Sequence, residues 1–182
     1  REFMKYDLEP LLTNLRKMWN KTDYPKQYLD ELFQCPAFAR SLKNTFVYKC
    51  PYDLSVKYDA GKRYTIELPT HNLKDDHSEK RIAQGGKENN HDIQIFNGLG
   101  NRFLFASESC EVTQEQPYFH NKDLTMMSGS FNIGKWFRPM HPAILNFGQK
   151  DFDIKRGEAL QYIKFPKDAK IEIRRTAIDK DL

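Results

Sequence analysis

The amino-acid sequence predicts a mainly β fold, an antiparallel β-sandwich of jelly-roll or cupin-like type with a helical region before it. Short runs of alternating apolar and polar residues follow one another after residue 46, separated by turn residues at spacings of about ten residues. No helical pattern lies between these runs that could carry the crossovers of a parallel sheet. We therefore expect a helical region over residues 1–45 and a β-sandwich domain over residues 46–182.

The first 45 residues favour helices because their apolar residues recur at helical spacing. Asp7 is expected to cap the first helix, with Glu9 and Pro10 in its first turn. A second, shorter helix is expected after Pro25. Residues 1–3 are interpreted as a remnant of cloning, since Glu-Phe is what a common cloning site encodes. The apolar stripe of the first helix consists of Leu8, Leu11, Leu12, Leu15, Met18 and Trp19.

A β-hairpin is the clearest prediction in the second region. Residues 54–58 and 64–68 both alternate apolar with polar side chains, and Gly61 lies in the short connection between them. The segment 158–165 carries bulky apolar side chains on both faces, which is typical of a central strand. The polar stretch 69–91 is predicted to be a long loop. Further strands are expected over residues 92–96, 102–107, 111–114, 130–137, 143–147, 152–155 and 170–174.

Composition excludes several classes of protein. The 182 residues carry a net charge of +4, which is weak for a nucleic-acid binder. No apolar run approaches the length of a membrane-spanning helix, and no secretory signal is recognised at the N-terminus. Cys35, Cys50 and Cys110 are too widely spaced for a disulfide framework or a metal knuckle, so we expect reduced thiols. These features predict a cytoplasmic protein with no membrane partner.

The histidines offer one candidate metal site. A mononuclear iron site on a double-stranded β-helix takes two histidines and one carboxylate, often with a His-x-Asp/Glu element. His77 and Glu79 fit that element, and His120 or His141 would supply the second imidazole. A divalent metal such as Fe or Zn is thus the alternative to having no cofactor. In the competing interpretation His77 is a solvated loop residue, because metal ligands usually lie on rigid strands.

Basic and aromatic residues alternate most densely within residues 132–142, which makes this stretch the candidate ligand-binding site. Lys135, Trp136, Arg138 and His141 would hold anionic groups and stack on planar ones. The competing interpretation is structural: Trp136 packs in the core, and Lys135 and Arg138 lie along it to reach water. No nucleophile motif accompanies either site.

Four phrases of the sequence are distinctive: CPAF (35–38), LKNTFVYKCPYD (42–53), FNIGKWFRP (131–139) and GEALQYIKF (157–165). Together they resemble a group of uncharacterised proteins encoded by tailed phages of marine bacteria. The resemblance implies a viral origin, a mostly β fold and no established activity, and it transfers no catalytic motif. The last phrase also resembles trimeric nucleotide hydrolases of the dUTPase kind, but their phosphate-binding serine motif is missing.

Two functions remain open at this point. The first is a non-enzymatic phage accessory or interaction protein that binds a protein or glycan partner, in the cytoplasm of the infected cell or associated with the virion. The second is a cupin-like metal-dependent enzyme of the oxygenase or isomerase type. A homo-oligomer is compatible with either function, because the apolar stripe of the first helix would serve as an interface.

Overall fold

The computed structural model describes residues 8–21, 23, 25–50, 53–58, 64–67, 93–97, 109–118, 124–135, 143–147 and 150–172. Within these ranges lie helices α1 (Leu11–Trp19), α2 (Lys26–Gln34) and α3 (Pro36–Leu42). None of the described helices is long and apolar enough to cross a membrane. The strands are β1 (Glu9–Pro10), β2 (Thr45–Lys49), β3 (Leu54–Tyr58), β4 (Tyr64–Glu67), β5 (Ile93–Asn97), β6 (Glu111–Glu115), β7 (Leu124–Met126), β8 (Gly129–Asn132), β9 (Ala143–Phe147), β10 (Phe152–Ile154) and β11 (Ala159–Lys164).

The described strands form three antiparallel sheets, which confirms the prediction of a mainly β, antiparallel fold. Sheet 1 has the order β1-β2-β11-β6-β8, sheet 2 the order β10-β3-β4, and sheet 3 the order β5-β9-β7. The predicted hairpin is present, with Tyr58 paired with Tyr64 and Val56 with Ile66. Within the described ranges the three sheets do not join into one closed sheet.

The N-terminal prediction is wrong in detail. Glu9 and Pro10 do not lie in the first turn of a helix; they form β1, and Glu9 pairs with Val47 of β2. Pro10 has an extended backbone with ψ 131°, so the helix begins only at Leu11. Asp7, the expected cap, lies outside the described residues.

Two other predicted strands also need correction, and one strand was not predicted. The strand expected over 130–137 ends at Asn132. The Oδ1 atom of Asn132 accepts hydrogen bonds from the backbone N–H groups of Gly134 (2.9 Å) and Lys135 (3.2 Å). These bonds fold the chain into a turn, so the strand cannot continue. The described part of the strand expected over 170–174 is not a strand. The short strand β7 was not predicted, and the segments 68–92 and 98–108 lie outside the described residues.

Strand β11 is central, as predicted, and it is buried on both faces. Leu160 and Ile163 belong to a core cluster that contains residues from all three sheets. Tyr162, on the opposite face, packs with Val47 and with Leu11 of helix α1. Burial raises the pKa of Tyr162 to about 12, so its hydroxyl stays protonated at neutral pH. Both core clusters therefore contain residues of this strand.

A pair of amides crosses the core between sheet 1 and the end of β7. Gln161 is 1% exposed, and its Oε1 atom accepts a hydrogen bond from Nε2 of Gln114 at 2.9 Å. The Nε2 atom of Gln161 donates to the carbonyl oxygen of Met127 at 2.8 Å. Because a buried amide is costly unless it is hydrogen-bonded, these contacts fix the position of the β7–β8 connection relative to β11.

A buried carboxylate joins β1, α1 and β2. Glu9 forms ion pairs with Lys17 and Lys49, and its Oε2 atom accepts a hydrogen bond from Nδ2 of Asn14 at 3.1 Å. Burial by itself would raise the pKa of Glu9, but the hydrogen bonds from Lys17, Lys49 and Asn14 lower it to about 2. The ionised carboxylate therefore holds the N-terminal segment to the edge of sheet 1.

Leu160→Ala tests the central position of β11. Leu160 is fully buried, so its truncation leaves a cavity and should lower the free energy of unfolding by about 2–5 kcal/mol. Leu145→Ala is the control, since Leu145 is only half-buried, and it should lower the free energy by less than about 1.5 kcal/mol. Urea denaturation measures both; equal losses for the two variants would mean that β11 is not the centre of the core.

Glu9→Gln tests the buried ion pairs through their pH dependence. The ionised form of Glu9 stabilises the fold fully above pH 4.5, its ordinary pKa, and this contribution is lost as the pH falls toward its folded-state pKa of about 2. The variant should therefore be less stable than the wild type by up to roughly 3 kcal/mol at neutral pH, and the difference should shrink between pH 4.5 and 2.

The matched control is Glu31→Gln, because Glu31 is exposed on α2. Its effect should stay within about 0.5 kcal/mol. Thermal denaturation at a series of pH values gives the comparison. If the stability difference between the wild type and Glu9→Gln does not change with pH, the assignment of the depressed pKa to Glu9 is contradicted.

Candidate functional site

Of the four residues predicted to bind a ligand, the structure describes Lys135 alone. Lys135 is exposed and ends the turn after β8, where its backbone N–H donates to the carbonyl oxygen of Asn132 as well as to its side chain. Trp136, Arg138 and His141 lie outside the described residues. A binding role for this basic and aromatic stretch therefore stays a prediction.

The predicted metal ligands fall outside the described residues altogether: His77, Glu79, His120 and His141. Among the residues that the structure describes, no group of three or more histidine, cysteine, aspartate or glutamate side chains could hold a metal ion. The three cysteines form no disulfide, and Cys50 is buried whereas Cys35 is exposed. The Fe or Zn hypothesis thus stays a prediction that these residues do not test.

A cleft with a volume of about 480 Å³ opens beside strand β10, and we call it the β10 cleft. Side chains from sheets 2 and 3 and from the turn before β11 line it. Leu124 and Phe152 contribute apolar groups, and the other six lining side chains are charged or carry an amide. The lining residues are Leu124, Asn146, Lys150, Asp151, Phe152, Asp153, Lys155 and Glu158.

Asn146 is the buried polar group of this cleft. It lies in β9, it is only 1% exposed, and its Nδ2 atom donates to the hydroxyl oxygen of Tyr58 at 3.1 Å and to the carbonyl oxygen of Lys150 at 2.7 Å. The backbone N–H of Tyr58 in turn donates to Oδ1 of Asp151 at 2.8 Å. These bonds connect strands β3 and β9 to the segment that enters β10, so the cleft wall is fixed by hydrogen bonds on both sides.

A tight turn between β10 and β11 supplies Lys155 and Glu158. The backbone N–H of Glu158 donates to the carbonyl oxygen of Lys155 at 3.0 Å, and Gly157 at the third position has φ 86°, as a type II turn requires. The N–H of Gly157 donates to the carbonyl oxygen of Cys50, and that of Arg156 to Oδ1 of Asp53, both at 2.8 Å. The two charged side chains therefore start from a rigid backbone.

The charges of the cleft nearly balance. Asp151, Asp153 and Glu158 carry three negative charges against the two positive charges of Lys150 and Lys155. Lys57, on the neighbouring strand β3, supplies a third positive charge.

The Nζ atom of Lys57 lies 3.6 Å from Oδ2 of Asp151 and 4.0 Å from Oδ2 of Asp153. All of these side chains are partly exposed, so each pair is weak by itself and its groups can exchange partners with a ligand. Together the cleft offers carboxylate acceptors and ammonium donors within one concave volume.

Sequence reasoning missed this cleft, although two signals were present. Asp151 and Asp153 alternate with the buried Phe152 and Ile154, which predicts a strand with a charged outer face but says nothing of a cavity. Asn146 lies within an otherwise apolar strand, and a polar residue at such a position often marks a specific buried hydrogen bond. What the sequence could not supply is the proximity of sheets 2 and 3.

No protein-family model, no curated protein and no solved structure matches this chain. The likeness to phage proteins therefore remains an expectation from the sequence. The geometry of the β10 cleft is the basis for the function proposed below.

Gly157→Ala tests the turn that forms the cleft rim. A Cβ atom at φ 86° is strained, so the variant should lose about 1–2 kcal/mol of stability. Gly129→Ala is the control, because a Cβ atom added at Gly129 meets nothing within 4 Å, and it should be neutral or slightly stabilising. Chemical denaturation measures both; a neutral Gly157→Ala would mean that the turn does not require a left-handed backbone.

Proposed function

We propose that this protein is a non-enzymatic binding module whose β10 cleft holds a neutral, hydroxyl-rich ligand, such as a sugar residue of a glycan. The observation that carries the proposal is the cleft itself, which combines a volume of about 480 Å³ with a lining in which six of the eight side chains are charged or carry an amide. This volume lies within the range of about 300–1,000 Å³ that is usual for small-ligand sites. Such sites are usually lined mostly by apolar side chains, so this many charged and amide groups favour a ligand that forms hydrogen bonds.

The charge balance favours a ligand without net charge. The lining carries three carboxylates and two ammonium groups, and Lys57 beside it pairs with two of the carboxylates, so a strongly anionic or cationic ligand would meet groups of both signs. Sugar hydroxyls both donate and accept hydrogen bonds, and they can therefore use the carboxylates as acceptors and the lysines as donors at the same time.

The rigidity of the cleft supports binding as its role. Asn146 and Asp151 are held by hydrogen bonds to Tyr58, and Lys155 and Glu158 start from a turn that is fixed at its backbone. A site whose groups are already positioned loses little conformational entropy when a ligand binds. Hydroxyl groups that reach this cleft would meet donors and acceptors carried on a fixed backbone.

The same proposal includes the finer fold and the biological setting expected from the sequence. We infer that sheet 1 and the pair of sheets 2 and 3 form the two layers of a jelly-roll-like sandwich, because one core cluster contains side chains from all three. The phage proteins that the sequence resembles indicate the biological setting of this module. In that setting, a glycan-binding module would serve as an accessory protein of a virus, inside the infected cell or on the virion.

Asp153→Asn tests the proposed site. A printed glycan array identifies a bound glycan, and titration calorimetry with that glycan gives the Kd for the wild type and the variants. Asp153 lines the cleft, so its amide variant should weaken binding by about tenfold, equivalent to about 1.4 kcal/mol. The control Asp30→Asn changes an exposed carboxylate on α2 and should leave the Kd unchanged.

Salt dependence provides a second measurement. The Kd for a neutral glycan should change little between low and high ionic strength. Salt would instead screen the charges of a charged ligand and weaken its binding. The proposal is wrong if natively folded protein binds no glycan of the array, if Asp153→Asn and Asp30→Asn have equal effects, or if affinity falls steeply with salt.

A further inference from the structure

Asn146 has one polar side-chain atom that the fold leaves unused. Its Nδ2 atom donates to the carbonyl oxygen of Lys150 at 2.7 Å and to the hydroxyl oxygen of Tyr58 at 3.1 Å, so both of its N–H groups are engaged. A carbonyl oxygen can only accept a hydrogen bond, and the contact with Lys150 therefore fixes which end of the amide is nitrogen. The remaining atom, Oδ1, accepts no hydrogen bond from any residue that the structure describes.

This oxygen is reached from the β10 cleft. Asn146 lines the cleft and is only 1% exposed, so little of its surface faces anywhere else. Among the described residues, one side-chain oxygen is both unpaired and fully enclosed, and it is Oδ1 of Asn14 rather than Oδ1 of Asn146. The acceptor of Asn146 therefore keeps a small accessible area, and the cleft is the space from which a ligand can meet it.

Apolar side chains share the cleft wall with this oxygen. Leu124 of β7 lies directly opposite Asn146 in the register of sheet 3, and Phe152 lines the same cleft. Both side chains are buried. Surroundings that exclude water strengthen a hydrogen bond, so an acceptor at this place binds a donor more strongly than a surface amide does. A ligand that covers the oxygen without offering a donor leaves it unmet, at a cost in free energy.

We propose that Oδ1 of Asn146 determines the specificity of the β10 cleft by accepting a hydrogen bond from one hydroxyl group of a bound sugar residue. The inference rests on the function proposed above and adds to it that the ligand must carry a donor where it reaches this oxygen. Exposed side chains of the cleft, such as Asp153 and Lys155, can rotate to suit different hydroxyl arrangements. The amide of Asn146 is held at both N–H groups and cannot turn its nitrogen toward the ligand, so a sugar without that hydroxyl binds less tightly.

A series of fluorinated sugars tests this inference on the full wild-type chain. The probes are the methyl glycosides of glucose, galactose, mannose and N-acetylglucosamine, and titration calorimetry gives the Kd of each. For a sugar that binds, analogues with fluorine in place of one hydroxyl at a time keep nearly the same size but cannot donate a hydrogen bond there. Replacement at one position should weaken binding by about tenfold or more, because it leaves Oδ1 of Asn146 unmet.

Asn146→Ala shows whether that hydroxyl meets Asn146. In this variant the parent sugar and its fluorinated analogue should have equal Kd values, so the tenfold ratio disappears. Tyr58→Phe is the matched control, because it removes one bond of Nδ2 but keeps Oδ1; it should lower both affinities alike and preserve the ratio. Asn146→Leu, which is similar in size and lacks the oxygen, replaces Asn146→Ala if circular dichroism shows that the alanine variant is not folded.

The outcomes separate this inference from the proposed function. Loss of the ratio in the Asn146 variant, with its retention in Tyr58→Phe, supports the role of Oδ1. If a sugar binds but every fluorinated analogue binds equally well, or if the ratio survives without Asn146, sugar binding stands and the role of Asn146 is overturned. If none of the four sugars binds the wild type, the role of Asn146 is likewise overturned, and the glycan array alone decides the proposed function.

Discussion

The burial of β11 on both faces is the constraint on which the rest of the structure depends. One face contributes Leu160 and Ile163 to the core shared by the three sheets, and the other places Tyr162 against helix α1. The register shifts between Ala159 and Gln161. Residues around this irregularity belong to both clusters, since Ala159 packs toward the helices and Leu160 toward the sheets. A strand held in this way fixes the elements at both of its ends and on both of its sides.

The position of the β10 cleft follows from that arrangement. The turn that leads into β11 carries Lys155 and Glu158 into the β10 cleft, where they meet Asn146 from a different sheet. On the other side, β6 and β8 extend sheet 1 beyond β11, and Gln161 holds the connection before β8 through the carbonyl oxygen of Met127. The turn at the cleft and the connection before β8 are thus both positioned by contacts with β11 or with the turn that leads into it.

The sequence was most informative where side-chain periodicity directly reflects burial. Alternation predicted the β3–β4 hairpin, and apolar groups on both faces predicted the central position of β11. It failed where one side chain redirects the backbone: Asn132 ends β8 early, and the extended Pro10 delays the start of α1. The β10 cleft could not be predicted, because Asn146 acquires its role only when sheets 2 and 3 meet. Six of the seven predicted site residues lie outside the described ranges, and their roles stay predictions.

Native-state hydrogen exchange at the amides of β11 tests this account most directly. If the strand is held by β2 and β6 and buried on both faces, the amides of Tyr162 and Ile163 exchange only through global unfolding. Their exchange free energies then equal the free energy of unfolding measured with denaturant. Exchange of these two amides through local opening, at a much lower free energy than that of neighbouring β2, would contradict the central role of β11.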